Sequence, residues 1–438
     1  MDHRSGAHPS NTVDPPFLVA MNLTKRCNLA CAHCYLDAVT RSDGASDELS
    51  TEEVKAVLDD IAGLSDETMV VLTGGEPLLR PDIEAIARHG ADLGLMVVLG
   101  TNGTALDDKR VARLREAGVA GVGISLDSLD PDHHDGFRGR PGSWNRTMAA
   151  IDACRRGGLT FQLHFSVTDD NAHELEPMIS FARDAGALVL NVFFLVCTGR
   201  GEEVTNISPE TYDDVLRRVT RAAYEEKRLM IRAKCAPHFK RMALELDPAW
   251  PITAAHGYEA GGCLAGTRYC RVSPNGDVTP CPYIEDTVGS VREQDFATIW
   301  RDAPMFADLR APKLEGRCGD CEYTNVCGGC RARPQARDGN LMGEDFLCRY
   351  EPSGGAVIEI LQARVGTLSW TDEAEARLSR VPPFIRRMVR KSVEDYARDR
   401  GASEVTPEDM HAVAQRRFGD AGPPIPGNGS IPGGWGRK

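Results

Sequence analysis

The chain reads as an α/β protein: a partial (β/α)6 barrel, then a small cysteine-rich domain, then a small all-α domain at the C-terminal end. Three observations predict this. Between residues 17 and 230, short apolar runs alternate with longer amphipathic ones six times, the pattern of a parallel sheet with crossover helices. Between 263 and 348, eight cysteines stand among glycines and prolines, with few long apolar runs. From 366 to 418 the chain is charged, helix-forming and free of cysteine.

Each element follows in order. Residues 1–16 are polar, contain Pro15 and Pro16, and read as a flexible arm. Residues 17–23 form a first strand. Ser50 and Glu53 make a capping box that opens a helix through Ile61. Strands are expected at 69–72, 96–99, 121–127, 161–167 and 188–194. Helices are expected between them at 82–93, 109–117, 144–156 and 175–185. Eight such repeats would close a full barrel, but the count stops at six, hence a partial one. Residues 208–245 read as helical. Residues 231–353 comprise a linker and the cysteine-rich domain, which buries so little that something inorganic is expected to hold it. The domain at 366–418 has Thr371 and Thr406 as N-caps and Pro407 at a first helical position. Residues 419–438 are rich in glycine and proline and read as a disordered tail.

Composition narrows the function. The 438 residues carry 51 basic and 64 acidic side chains, a net charge of -13. Sequence-independent binding to nucleic acid, or to an anionic membrane surface, calls for the opposite sign. No run approaches the length of a spanning helix, and the first residues lack the apolar stretch of a signal peptide. A cytoplasmic protein is expected, with no nucleic-acid or membrane partner. In that compartment the 14 cysteines stay reduced, so metal ligation is a better reading than disulfides.

Cys27, Cys31 and Cys34 follow the first strand. Three thiolates on one short loop suit three corners of a cubane iron–sulfur cluster and leave one iron open to a small molecule. Zinc is the alternative, but it wants a fourth ligand and only His33 is near. After the second strand comes Thr73-Gly74-Gly75-Glu76-Pro77. Glycine lets backbone approach a ligand, and Glu76 offers an acceptor for an ammonium group. With Tyr35 after the third cysteine, these residues resemble the radical S-adenosylmethionine (SAM) superfamily. The resemblance implies a [4Fe-4S] cluster whose open iron chelates SAM, and reductive cleavage of SAM to a 5′-deoxyadenosyl radical that abstracts hydrogen from a substrate. It implies SAM contacts from Gly74, Gly75, Glu76 and Pro77. At later strand ends, it implies contacts from Asn102, Ser125 and Asp127. His164 reads as a structural histidine. No residue is assigned to the chemical step itself.

The eight later cysteines resemble the SPASM extension of these enzymes, through Cys263-x12-Gly276-x4-Cys281 and Cys318-x2-Cys321-x5-Cys327. That resemblance implies two auxiliary clusters and three [4Fe-4S] clusters in all. Cys263, Cys270, Cys281 and Cys330 would hold one, and Cys318, Cys321, Cys327 and Cys348 the other. The chain departs from the pattern in having only Gly328 and Gly329 before Cys330, where three residues are usual. Two zinc ribbons are the alternative. Cys154 reads as a buried apolar residue.

The segments 193–201 and 235–239 resemble enzymes of heme d1 and alternative heme synthesis, and 366–418 resembles a C-terminal domain of light-independent protochlorophyllide reductase subunits. These likenesses imply a radical SAM oxidoreductase acting on a tetrapyrrole side chain, by oxidative decarboxylation or related modification. Arg200, Cys235 and His238 become candidate substrate residues, and Arg386, Arg387, Arg390 and Lys391 candidate partners of carboxylates. A low-potential electron donor such as ferredoxin or flavodoxin would be needed. Two rivals stand beside this reading: a peptide or protein maturase, and a non-catalytic iron–sulfur electron carrier, which would need no SAM loop.

Overall fold

The computed structural model describes residues 13–38, 47–196, 198–199, 207–248, 250, 262–358, 368–381 and 383–418. The six repeats form as expected: β1 (Leu18–Asn22), α1 (Thr51–Leu64), β2 (Met69–Thr73), α2 (Ile83–Asp92), β3 (Met96–Thr101), α3 (Asp108–Glu116), β4 (Gly121–Ser125), α4 (Pro131–Arg138), α5 (Ser143–Gly157), β5 (Phe161–Val167), α6 (Leu175–Asp184) and β6 (Val189–Phe194). β1 to β6 are neighbours in sequence order, and every pairing is parallel. Helices lock onto the outer face through apolar stripes. α1 buries Val54, Val57, Leu58 and Ile61, at helical spacing, each contributing about 1.5–3 kcal/mol. Its capping box is present on both sides: Ser50 accepts from the Glu53 amide, and Glu53 accepts from the Ser50 amide at 2.7 Å.

Four further strands extend the sheet, one at one edge and three at the other. The stretch 208–245, expected as helix, divides into α7 (Pro209–Glu225), β7 (Met230–Lys234) and α8 (His238–Leu246). β7 pairs in parallel with β6, so the sheet runs past residue 230. The charged residues 226–228, with Arg232 and Lys234, mimic the polar face of a helix. In fact they mark a turn and one face of a strand, whose period is two. At the other edge, β8 (Tyr269–Val272) from the cysteine-rich domain pairs in parallel with β1, and β9 (Asp277–Thr279) and β10 (Gly289–Ser290) continue it antiparallel. The cysteine-rich domain is therefore built onto the barrel's first strand. Arg292 strengthens that join, its Nε donating to Glu53 at 2.8 Å.

The C-terminal domain has its own core of Ala374, Leu378, Val381, Val393, Ala397, Val405 and Met410. Thr371 caps its first helix, accepting from the Ala374 amide, and Pro407 begins its last. A two-stranded parallel ribbon, Ser369–Trp370 beside Glu404–Val405, joins the helices. Among the described residues, no helix is long and apolar enough to cross a membrane.

Candidate functional site

The inward-facing residues of β1 to β8 line one cavity of about 520 Å³. Alternation decides which: Leu18 and Ala20 of β1, Val71 and Thr73 of β2, Gln162, His164 and Ser166 of β5, and Asn191 and Phe193 of β6 face in. Room for the His164 ring comes from Gly123 on the neighbouring strand, where a Cβ would lie 2.4 Å from it. Burial pushes the His164 pKa down to about 3, so the ring is neutral.

Cys27, Cys31 and Cys34 lie at the mouth of this cavity, on a loop with no regular structure of its own. Three neighbours hold the loop. The Gly74-Gly75 backbone packs directly on it: Gly75 and Glu76 amides donate to Thr24 O and Arg26 O at 2.7 and 2.8 Å. A Cβ on Gly75 would come within 2.2 Å of Arg26 O, and one on Gly74, where φ is +137°, within 2.6 Å of Thr24 O. Both glycines are thus required for this contact. The C-terminal end of α4 supplies carbonyls of Phe137 and Arg138 to the amides of Ala32 and Ala30. Finally, Asn102 Nδ2 donates to Asn28 Oδ1 at 2.8 Å and approaches Cys27 Sγ at 3.9 Å.

Glu76 is fully buried and does not line the cavity. Its oxygens accept from Thr101 Oγ1 at 2.8 Å, the Asn102 amide at 2.9 Å and the Leu78 amide at 3.1 Å. Burial raises its pKa, opposed by these bonds. Glu76 ties the Gly-Gly loop to the end of β3, and Pro77 opens the short turn that follows. Asn102 and Ser125 do line the cavity. Asp127 sits behind it, fully buried, with Oδ1 accepting from the Ser166 amide and Oδ2 paired with Arg138. Against the cost of burial, Arg138 holds the Asp127 carboxyl below its usual range. Arg138 itself faces the cavity and donates to Cys31 Sγ at 3.6 Å, a cation placed to favour a thiolate.

The later cysteines separate into two places. Cys263, Cys281 and Cys330 line the main cavity, across from the first three, with Tyr35 and Tyr283 edge-on between the sets at 5.5 Å. Cys318, Cys321, Cys327 and Cys348 surround a second, smaller chamber. Gly328 and Gly329, with φ of +60° and +70°, reverse the chain so that Cys327 and Cys330 face different chambers. Both are positions that any other residue would occupy under strain. The amide of Cys330 donates to Asp345 at 2.8 Å, and Asp345 pairs with Arg333 at 2.8 Å. Cys270 joins neither group and lies in the main hydrophobic core. His238 lines the second chamber and not the main cavity: its Nδ1 is 2.7 Å from Tyr212 Oη, and burial pushes its pKa down to about 4. Cys235 faces the main cavity. Arg200 and Cys197 lie outside the described residues. In the C-terminal domain Arg390 is engaged by Glu375 at 2.7 Å, Arg386 by the carbonyls of Ser379 and Val381, and Lys391 by Asp395, so these charges of the basic run serve their own domain.

Sequence reasoning missed the cations of the main cavity. Arg232 and Lys234, two apart on β7, line it with Lys240 and Arg138, and among the described residues no Asp or Glu does. The alternation of Met230-Ile-Arg-Ala-Lys carried that signal, but the helical reading of 208–245 hid it. Burial lowers the Lys240 pKa to about 8, opposed by the nearby thiols of Cys327 and Cys263.

The donor set fits iron–sulfur clusters. Burial pushes the Cys27 thiol up to about 11, so a thiolate there needs a metal to stabilise it. Among the described residues, no three Cys, His, Asp or Glu side chains converge as ligands of a single ion would. A cubane, which takes one cysteine per iron, does not require that. A parallel barrel rim carrying three such cysteines beside a glycine loop defines an iron–sulfur enzyme that uses SAM. The chain matches the Radical SAM superfamily over residues 21–182, an iron–sulfur cluster-binding domain of the SPASM type over 263–330, and the proto-chlorophyllide reductase 57 kD subunit over 370–413. It is 42% identical to an AdoMet-dependent heme synthase of Methanosarcina barkeri, over 77% of this chain and 97% of that one. It is 33% identical to a pre-heme d1 synthase of Dinoroseobacter shibae, over 76% and 86%. Streptococcus suis SuiB bound to precursor peptide SuiA shares the fold, with a TM-score of 0.63 and 17% identity over 78% and 77% of the two chains. The protein belongs to the radical SAM superfamily.

Proposed function

We propose that this enzyme modifies a tetrapyrrole bearing propionate or acetate side chains, by oxidative decarboxylation of a propionate or another side-chain modification. One observation carries the reading. In a chain of net charge -13, the cavity is lined by Arg138, Arg232, Lys234 and Lys240 and, among the described residues, by no carboxylate. Such a wall binds and orients an anionic substrate through charge-assisted hydrogen bonds. Its volume of about 520 Å³ lies in the small-molecule range. The heme-forming relatives point the same way.

Cys27, Cys31 and Cys34 would hold a cluster that, with SAM bound, would supply a 5′-deoxyadenosyl radical to abstract hydrogen from the substrate side chain. From the β-carbon of a propionate, loss of carbon dioxide and one electron then leaves a vinyl group. The residues of the chain act around that event. Arg232 and Lys234 hold carboxylates on the β7 wall, while Asn102 and Ser125 offer polar contacts to SAM at the opposite strands. Tyr35, Tyr269 and Tyr283 line the cavity with the two cysteine sets. Cys263, Cys281 and Cys330 would help hold the auxiliary group that accepts the surplus electron, and a low-potential donor would supply the first one. The test is an anaerobic Soret-band titration with an iron porphyrin bearing propionates, beside a set of peptides. A saturable shift is expected for the porphyrin. No shift, with SAM cleavage stimulated by peptide instead, would overturn the reading in favour of a peptide maturase.

A further inference from the structure

We infer that Cys235, and not Cys270, completes the four-cysteine set with Cys263, Cys281 and Cys330 at the main cavity. The inference rests on the auxiliary iron–sulfur reading and assigns one of its ligands.

Strand parity excludes Cys270. β8 pairs with β1 in the register Leu18 with Tyr269, Val19 with Cys270 and Ala20 with Arg271. Leu18, Ala20 and Tyr269 line the cavity. Cys270 and Val19 therefore point out of the opposite face, and both are fully buried in the core between sheet and helices. Turning Cys270 inward would need a one-residue slip of β8, which would send Tyr269 outward as well.

Cys235 has the placement that Cys270 lacks. It follows the last residue of β7, on the inward side, and lines the cavity with the other three. Its φ is +56°, the left-handed region that a β-carbon disfavours by about 1–2 kcal/mol. Such a conformation persists only where the surroundings impose it. Here they do: Cys235 O accepts from Arg333 Nη2 at 2.6 Å, Arg333 Nη1 pairs with Asp345 at 2.8 Å, and Asp345 accepts from the Cys330 amide at 2.8 Å. A single buried network thus sets Cys235 and Cys330 relative to each other. The thiols of Cys263 and Cys330 are in hydrogen-bond contact, and Cys235 lies close enough to Cys281 and Cys330 for their charges to interact. Four thiols with no carboxylate among them form a soft donor set of the kind that holds an iron–sulfur cluster.

The test compares Cys235→Ala and Cys270→Ala in the full-length chain, reconstituted anaerobically. The readouts are iron per chain and the electron paramagnetic resonance spectrum of the reduced protein. Cys270→Ala is expected to keep the wild-type iron and spectrum. Cys235→Ala is expected to lose up to about four irons, or to keep them with shifted g-values from a cluster that has lost one thiolate. Circular dichroism of the metal-free chains separates lost ligation from lost folding. If Cys270→Ala does not fold, Cys270→Val, which refills the core, provides the same comparison. Loss or spectral change in the folded Cys270 variant but not in Cys235→Ala would overturn the assignment. So would wild-type behaviour of both. SAM cleavage in all of these proteins reports separately on the first cluster, so a failure there is distinguishable from a failure of this assignment.

Discussion

The two cysteine sets that face the main cavity are built in opposite ways. Cys27, Cys31 and Cys34 lie within eight residues on one loop, and the fold closes around them from three sides. The set opposite draws on Cys263, Cys281 and Cys330, and on Cys235 by our inference, from segments scattered over about a hundred residues. A local set needs its backbone pinned, whereas a dispersed set needs the whole sheet in register. Loss of a single tie should therefore disturb the first set alone, and the second should respond to changes in strand pairing.

The largest expected effect comes from removing the local set. Cys27→Ala, Cys31→Ala and Cys34→Ala together should abolish SAM cleavage and remove about four irons, leaving the dispersed sets loaded. Iron analysis and 5′-deoxyadenosine release check this, and loss of all iron would show that the sets are not independent. Next comes the β7 wall. Arg232→Ala with Lys234→Ala should weaken porphyrin binding by about 100-fold or more, since each of the two lost charge-assisted bonds is worth about 1.5–3 kcal/mol. Uncoupled SAM cleavage should be retained, and a Soret titration beside a cleavage assay measures both. Gly75→Ala sharpens the argument about pinning. Its Cβ would meet Arg26 O at 2.2 Å, so the cysteine loop must shift. A cost of about 1–3 kcal/mol is expected, read as a lower Tm, with the iron deficit confined to the first cluster.

The smallest expected effect lies at the Arg292–Glu53 join between barrel and cysteine-rich domain. The Arg292 hydrogen bond, with Ser50, holds the Glu53 carboxyl down at about 2. A lowered carboxylate pKa stabilises the fold above the unfolded value of 4.5 and ceases to do so as pH falls toward 2. The pair is half exposed and screened by water, so Arg292→Ala should lower Tm only slightly at pH 7. The difference from wild type should shrink below pH 4.5 and vanish near 2; a constant difference across that range would show that the carboxylate charge plays no part.

The same contrast explains what was legible in the sequence. The six repeats, the Ser50–Glu53 box and the caps at Thr371 and Pro407 rest on periodicity and on neighbours a few residues apart, and all can be read directly. So can Cys27, Cys31 and Cys34 as a group. What stayed hidden depends on partners distant in sequence. The strand character of 230–234 is settled by pairing with β6 and not by its own charged composition. The outward turn of Cys270 follows from its register with Val19, about 250 residues away, and no cysteine spacing reports it. The burial of Glu76 behind the loop, and not in the cavity, follows from three hydrogen-bond donors of which two come from the end of β3. The pairing of Arg390 with Glu375 likewise removes a charge that the sequence offers to a ligand.

The pairing of β1 with β8 also has a consequence for how the chain is made. β1 is synthesised first, yet one of its edges is covered only when Tyr269–Val272 arrives. From Leu18 to Tyr269 is about 250 residues, which at about 5–20 residues per second of translation leaves that edge open for about 12 to 50 s. During that time the nascent barrel carries a row of unpaired backbone groups beside an apolar strand, a template for wrong pairing with other chains. Ribosome-stalled chains ending before residue 269 should bind a general chaperone that chains stalled well beyond 290 release; equal binding would mean that the open edge is protected by other means. Completion of the cysteine-rich domain would then serve as a timing signal, because the strand that seals the barrel comes from the segment that carries the later cysteines.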